Sequence, residues 1–112
     1  MANLDAICPS FIFPDVLGDW PFKRNDNPAL DLVQADNRKW FQNLGISTKY
    51  QKTFEGCNAA LICAIAYPLA PPIHVRLAAD LTLLQCLIDD ITDHLNPTET
   101  QEFAGVIKDV LR

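Results

Sequence analysis

Leu81-Thr82-Leu83-Leu84-Gln85-Cys86-Leu87-Ile88-Asp89-Asp90-Ile91-Thr92-Asp93 is a nearly unbroken apolar run that ends in three carboxylates within five residues. The apolar part asks for burial, whereas the carboxylates ask for water, a cation or a partner. Around this run, Leu77, Leu81, Leu84, Ile88, Ile91 and Leu95 recur at steps of four, three, four, three and four, the period of one apolar stripe on a helix. The pattern predicts a helix from about Pro72 to Leu95, ended by Asn96-Pro97. On it Asp89 and Asp93 lie one turn apart on a shared face, more than a quarter turn from the stripe. Ala78, Thr82 and Cys86, all small, sit below them on that face. Such a face suits a pocket wall or, more commonly, the close approach of another helix.

The flanking segments also read as helical. Upstream, a helix is expected from Ser47 or Thr48 to Tyr67-Pro68, and its second half, Ala59 to Ala66, is apolar on nearly every face, which predicts burial on several sides. Before it, Asn27-Pro28 offers an N-cap and a first-turn proline for a helix reaching about Asn43, with Gly45 as its stop signal. Residues 1–27 are aperiodic and punctuated by Pro9, Pro14, Gly18 and Pro21, yet they hold Phe11, Phe13, Trp20 and Phe22. They are expected to form an extended strap lying on the rest of the protein. Downstream, a last helix is expected to open at Thr98, with Gln101 completing a capping box. No Pro follows it before Arg112, and Gly105 lies mid-segment and not at its end, so the chain is expected to stop in or at the end of a helix and not after a finished domain. The predicted class is all-α.

The 112 residues allow one domain with one modest core. With 49% hydrophobic and 21% charged residues the composition is globular. The net charge of −5, without a basic stripe, argues against a nucleic-acid partner, and a polyanionic substrate would need a cation as intermediary. The N-terminus does not read as a signal peptide, and Leu81–Ile88 is too short to span a bilayer. Cys8, Cys57, Cys63 and Cys86 form no C-x-x-C pair and are expected to be buried free thiols of a cytoplasmic protein.

The acidic triplet is badly placed for local stability. A helix C-terminus disfavours an acidic residue by about 0.3–1 kcal/mol, and like charges at i, i+4 repel by roughly 0.2–0.5 kcal/mol. A bound divalent cation would reverse the sign of both effects. Magnesium takes oxygen ligands and shares one or two protein carboxylates with substrate phosphates, a need that D-D-x-x-D on one helix meets. An EF-hand is excluded, because its Gly and closing Glu are absent. His74 and His94 are read as exposed, and no Ser/His/Asp or Cys/His arrangement is present.

Several landmarks in order make the chain resemble the N-terminal part of fungal, basidiomycete-type sesquiterpene synthases. Phe13-Pro14-Asp15-Val16-Leu17 is similar to the family's opening F/L-P-D-x-L. Pro21-Phe22, Asn27-Pro28, Trp40 and Ala66-Tyr67-Pro68 match further landmarks, and Asp80 stands where an Asp recurs nine residues ahead of the metal motif. Asp89-Asp90-Ile91-Thr92-Asp93 takes the place of D-[DE]-x-x-D.

The resemblance implies a class I terpene synthase fold, an all-α bundle around an apolar cavity, here incomplete. It implies ionisation of farnesyl diphosphate by three magnesium ions, then cyclisation shielded from water. Asp89 would be the main Mg2+ ligand, Asp93 a secondary or outer-shell ligand, and Asp90 an orienting carboxylate. Thr82, Gln85 and Cys86 are candidate pocket wall, although family positions just before the motif are often apolar or aromatic. The family's second metal motif, N-D-x-x-S-x-x-x-E, its diphosphate-gripping arginines and its late R-Y pair are absent. Residues 1–112 are therefore expected to be the front portion of such a domain, with its C-terminal part missing, inactive alone and prone to self-association. Two alternatives stand beside this: a non-catalytic helical interaction module, and a fragment of a chain-elongating prenyl diphosphate synthase. The latter usually has arginines soon after the motif, where His94-Leu95-Asn96-Pro97-Thr98 follows here.

Overall fold

The computed structural model describes residues 10–112, so Cys8 and the first part of the expected strap lie outside the described residues. It is all-α, with five helices and no strand among the described residues: α1 (Leu30–Asn43), α2 (Gln51–Cys57), α3 (Ala59–Ala66), α4 (Pro72–Thr92) and α5 (Pro97–Val110). A single 3-10 turn, Thr48–Tyr50, leads into α2.

Asn27 does more than open the first helix. Its Oδ1 accepts from the Ala29 N–H at 2.9 Å, while its Nδ2 donates to the carbonyls of Tyr67 and Ala70 at 2.9 and 2.8 Å. Its backbone N–H donates to the Ala64 carbonyl at 3.0 Å. Asn27 is thus buried with its polar groups matched, and it pins the entry of α1 to the end of α3. Regular helix starts at Leu30, two residues beyond the expected Pro28, because residues 28–29 form a turn around the Asn27 side chain. Gly45 ends this segment at φ 64°, a left-handed position where a Cβ is unfavourable.

The expected second helix is broken. Asn58 takes φ 43°, ψ 47° and divides it into α2 and α3. Asn is among the few residues that enter this region readily, so the break falls where the chain tolerates it. Nor is α3 buried on several sides: Ala59, Ala60, Cys63 and Ala64 are buried, but Ile62 and Ile65 face outward. Its neighbours cover one face only.

The core is shared by Val33 and Phe41 of α1, Phe54 of α2, the small face of α3, and Val75, Ala79, Leu83 and Leu87 of α4. Phe41 and Phe54 stack with centroids 4.7 Å apart, with the Arg38 guanidinium 5.7 Å from the Phe54 centroid. The Ala and Cys side chains of α3 let it approach α4 closely, which selects the Val75–Ala79–Leu83–Leu87 face of α4 for the core. Full burial of Leu83 is worth about 1.5–3 kcal/mol. The stripe read from the sequence is a different face. Leu77, Leu81 and Leu84 remain 59%, 58% and 42% exposed, and only Ile88, Ile91 and Leu95 are half-buried.

The last helix is capped by Asn96, not Thr98. Asn96 Oδ1 accepts from the N–H groups of Thr98 and Glu99, and Glu99 Oε2 accepts from the Asn96 N–H at 2.9 Å. With Pro97 in the first turn, Asn-Pro-Thr-Glu forms the capping box two residues earlier than expected. No residue of α5 is fully buried.

The described part of the strap is non-helical but does not lie on the helices. Phe11, Phe13, Trp20 and Phe22 are all exposed. They pair with each other, Phe11 with Phe13 and Trp20 with Phe22, and the hydrogen bonds of residues 10–22 stay local around Asp15, Leu17, Gly18 and Trp20, so that the strap is tied to the helices at its end, through Asn27. The projecting strap and α5 leave a radius of gyration of 19.2 Å, against about 13 Å for a compact chain of this length.

Candidate metal and diphosphate site

The C-terminal end of α4 divides the acidic triplet between two environments. Asp89 lies in the last turn and Asp93 caps the helix, and both are exposed. Their carboxylates have no ion-pair partner among the described residues. Asp90 is half-buried on the packed side, where its Oδ2 accepts from Thr53 Oγ1 of α2 at 2.9 Å. Thr92 donates its hydroxyl back to the Ile88 and Asp89 carbonyls at 2.9 and 3.1 Å, in the turn that holds Asp89 and Asp93.

Two exposed carboxylates on one face are too few for an all-protein cage, and among the described residues no three His, Cys, Asp or Glu side chains are placed to hold a metal. They do fit a magnesium ion that retains water and takes its remaining oxygens from phosphate.

Of the candidate wall residues, Thr82 and Cys86 lie against α3 and α2. Thr82 Oγ1 is 3.5 Å from Cys63 Sγ, and Cys86 Sγ is 2.7 Å from Cys57 Sγ. Gln85 is exposed. Burial, followed by the neighbouring Cys86 thiol, pushes the Cys57 thiol up to about 12. His74 and His94 are exposed. The apolar surface next to the acidic end is instead the stripe itself. Leu81, Leu84, Ile88 and Ile91 of α4 face Phe103, Val106 and Ile107 of α5 across an open apolar groove of about 440 Å³.

Sequence reasoning gave no role in packing to the group that orients α4. Asn37 Nδ2 donates to Asp80 Oδ1 at 2.7 Å, and Arg76 Nε donates to both Asp80 oxygens at 2.9 and 3.0 Å. Asp36 completes the set 3.6 Å from Arg76 Nη1. The Arg76–Asp80 spacing of i, i+4 was a visible signal, but Asn37 sat unremarked among polar residues of α1.

No protein-family model matches the chain. It is 33% identical over 106 residues to sesquiterpene synthase 9 of Postia placenta, covering 93% of this chain and 31% of that protein. It is 33% identical over 110 residues to Δ6-protoilludene synthase 18 of the same fungus, covering 97% of this chain and 32% of the relative. Against the Δ6-protoilludene synthase of Cyclocybe aegerita it is 31% identical over 102 residues, 90% of this chain and 16% of the relative. The chain thus resembles the N-terminal portion of basidiomycete sesquiterpene synthases and spans a third or less of the length of these relatives.

Proposed function

We propose that this chain is the front part of a sesquiterpene synthase domain and supplies the first metal-binding end of a site completed by residues beyond the 112. The observation that carries the reading is the division of the triplet. Asp89 and Asp93 are exposed on one face, while Asp90 is held by Thr53. Similarity over more than nine-tenths of the chain to proteins named as a sesquiterpene synthase and a Δ6-protoilludene synthase supports it.

In this reading the substrate is farnesyl diphosphate and the cofactor is Mg2+. Asp89 is the main ligand, Asp93 a second or water-mediated one, and the metal supplies neutralisation of charge that develops on the departing diphosphate. Asp90 positions the end of the helix through Thr53. The open stripe of Leu77, Leu81, Leu84 and Ile88 is the surface that the remaining helices cover, keeping water from the reacting chain. The isolated 112 residues are catalytically inactive, and the complete protein acts in the cytoplasm.

The test is to sequence the transcript beyond the codon for Arg112, then to assay the chain with and without the residues so found against farnesyl diphosphate and Mg2+. Expected are an in-frame N-D-x-x-S-x-x-x-E downstream and Mg2+-dependent terpene release from the longer protein only. A stop codon directly after Arg112, or a defined terpene from the 112 residues alone, overturns the proposal.

A second reading draws on the same exposed stripe: a non-catalytic helical module whose partner covers Leu77, Leu81 and Leu84. Titration with magnesium and inorganic pyrophosphate separates the two, because an interaction module gives no Mg2+-dependent binding in any extended form.

A further inference from the structure

We propose that Cys57 and Cys86 form a reversible intramolecular disulfide that clamps α2 to the acidic end of α4. The two sulfurs belong to different helices and stand 2.7 Å apart as free thiols. Closing to the roughly 2.05 Å of a disulfide needs only a small side-chain movement. The backbone around the pair is already fixed by neighbouring contacts. Thr53, one turn before Cys57, donates to Asp90, one turn after Cys86, and Cys63 meets Thr82 one turn before Cys86. The two thiols therefore form the middle of three side-chain contacts between antiparallel elements, and oxidation does not require the helices to move apart or slide.

Exposure is suited to the chemistry. Cys57 and Cys86 are half-buried and within reach of a small oxidant, whereas Cys63 is buried. With hydrogen peroxide as oxidant, one thiolate attacks the peroxide, giving a sulfenic acid and, after protonation, water. The second thiol then displaces water from the sulfenic sulfur, forming the S–S bond. Overall two thiols lose two hydrogens and one peroxide becomes two waters. The bond closes the loop from Cys57 to Cys86 and ties the segment beside Asp89 and Asp90 in place. It is independent of whether the chain takes part in terpene synthesis.

The test uses the whole 112-residue chain, treated with hydrogen peroxide, alkylated and digested without reductant. Trypsin is expected to yield peptide 53–76 linked to peptide 77–108, with chymotryptic cleavage after Leu61 assigning the link to Cys57 and not Cys63. The link should disappear with dithiothreitol and in C57S and C86S, and persist in C63S. Mixing 15N-labelled and unlabelled chains should give no mixed-isotope link. The oxidised protein should melt roughly 5 °C or more above the reduced one. Full alkylation of Cys57 and Cys86 in wild type after peroxide overturns the proposal. So does a link through Cys8 or Cys63, or a mixed-isotope link.

Discussion

Asn37 on α1 donates to Asp80 on α4 at 2.7 Å, and through that carboxylate it shares a hydrogen-bond network with Arg76. The network sits nine residues before Asp89 and sets how α4 rests on α1. Arg76 and Asp80 side chains are 21% and 18% exposed, so neither is freely solvated. Asn37→Ala is expected to lose about 1–3 kcal/mol, the range for hydrogen bonds to charged groups and a buried acceptor left short of a partner. Asp80→Ala should cost more, since it also leaves Arg76 with only the longer Asp36 contact. Urea unfolding of the two variants and their double mutant checks both the order and the coupling. Additive effects would show that the network does not act as one unit.

Asp89 and Asp93 are placed against the helix dipole and against each other, while Asp90 is hydrogen-bonded. Without a divalent cation, Asp89→Asn and Asp93→Asn are each expected to stabilise the chain by a few tenths of a kcal/mol to about 1 kcal/mol. Asp90→Ala should destabilise by about 0.5–1.5 kcal/mol through loss of the Thr53 contact. Thermal melting in EDTA reads the signs. Destabilisation by all three alike would mean that the triplet is a structural cluster.

At Asn58 the left-handed backbone separates α2 from α3. Asn58→Gly is expected to be neutral or slightly stabilising, and Asn58→Val to cost about 1–2 kcal/mol, because a β-branched side chain is disfavoured there. Circular dichroism melts of the two variants measure the difference. Equal stability would indicate that the helix runs straight through.

The Cys57 thiol is raised to about 12 from an ordinary value of 9.0, chiefly by burial. The folded state therefore holds its proton through a pH range in which the unfolded state has lost it. The associated stability is fully present below about pH 9 and is lost as pH rises toward about 12. Under reducing conditions the melting temperature of wild type should fall across this window more steeply than that of C57S. Parallel curves would show that the thiol does not contribute.

Leu77, Leu81 and Leu84 form an apolar surface that a monomer does not usually leave open, and the aromatic residues between Phe11 and Phe22 add to it. Concentration-dependent self-association is expected in sedimentation velocity, reduced in Leu81→Glu. A compact, concentration-independent monomer for wild type would count against exposure of that surface.

The helical class was legible because runs such as Leu77–Leu95 have a clear period and because Gly45, Pro68 and Pro97 act through backbone rules that hold in any context. Which face of α4 is buried was not legible. The helix is apolar on two sides, and the choice was made by the small residues of α3, a partner that period alone does not identify. The break at Asn58 was hidden because Gly56-Cys57-Asn58 lies between apolar stretches that each fit a helix. At the site, the shared face of Asp89 and Asp93 followed from spacing, but the Thr53–Asp90 and Cys57–Cys86 contacts depend on the register of two elements about thirty residues apart.

The buried Asn27 has a consequence for the order of folding. Its side chain reaches carbonyls 40 and 43 residues further along the chain, at Tyr67 and Ala70. A nascent polypeptide ending before Ala70 should lack amide-exchange protection at the start of α1, however good the local helix signal. The entry of the first helix is thus settled from downstream, and during translation it waits for a segment made much later.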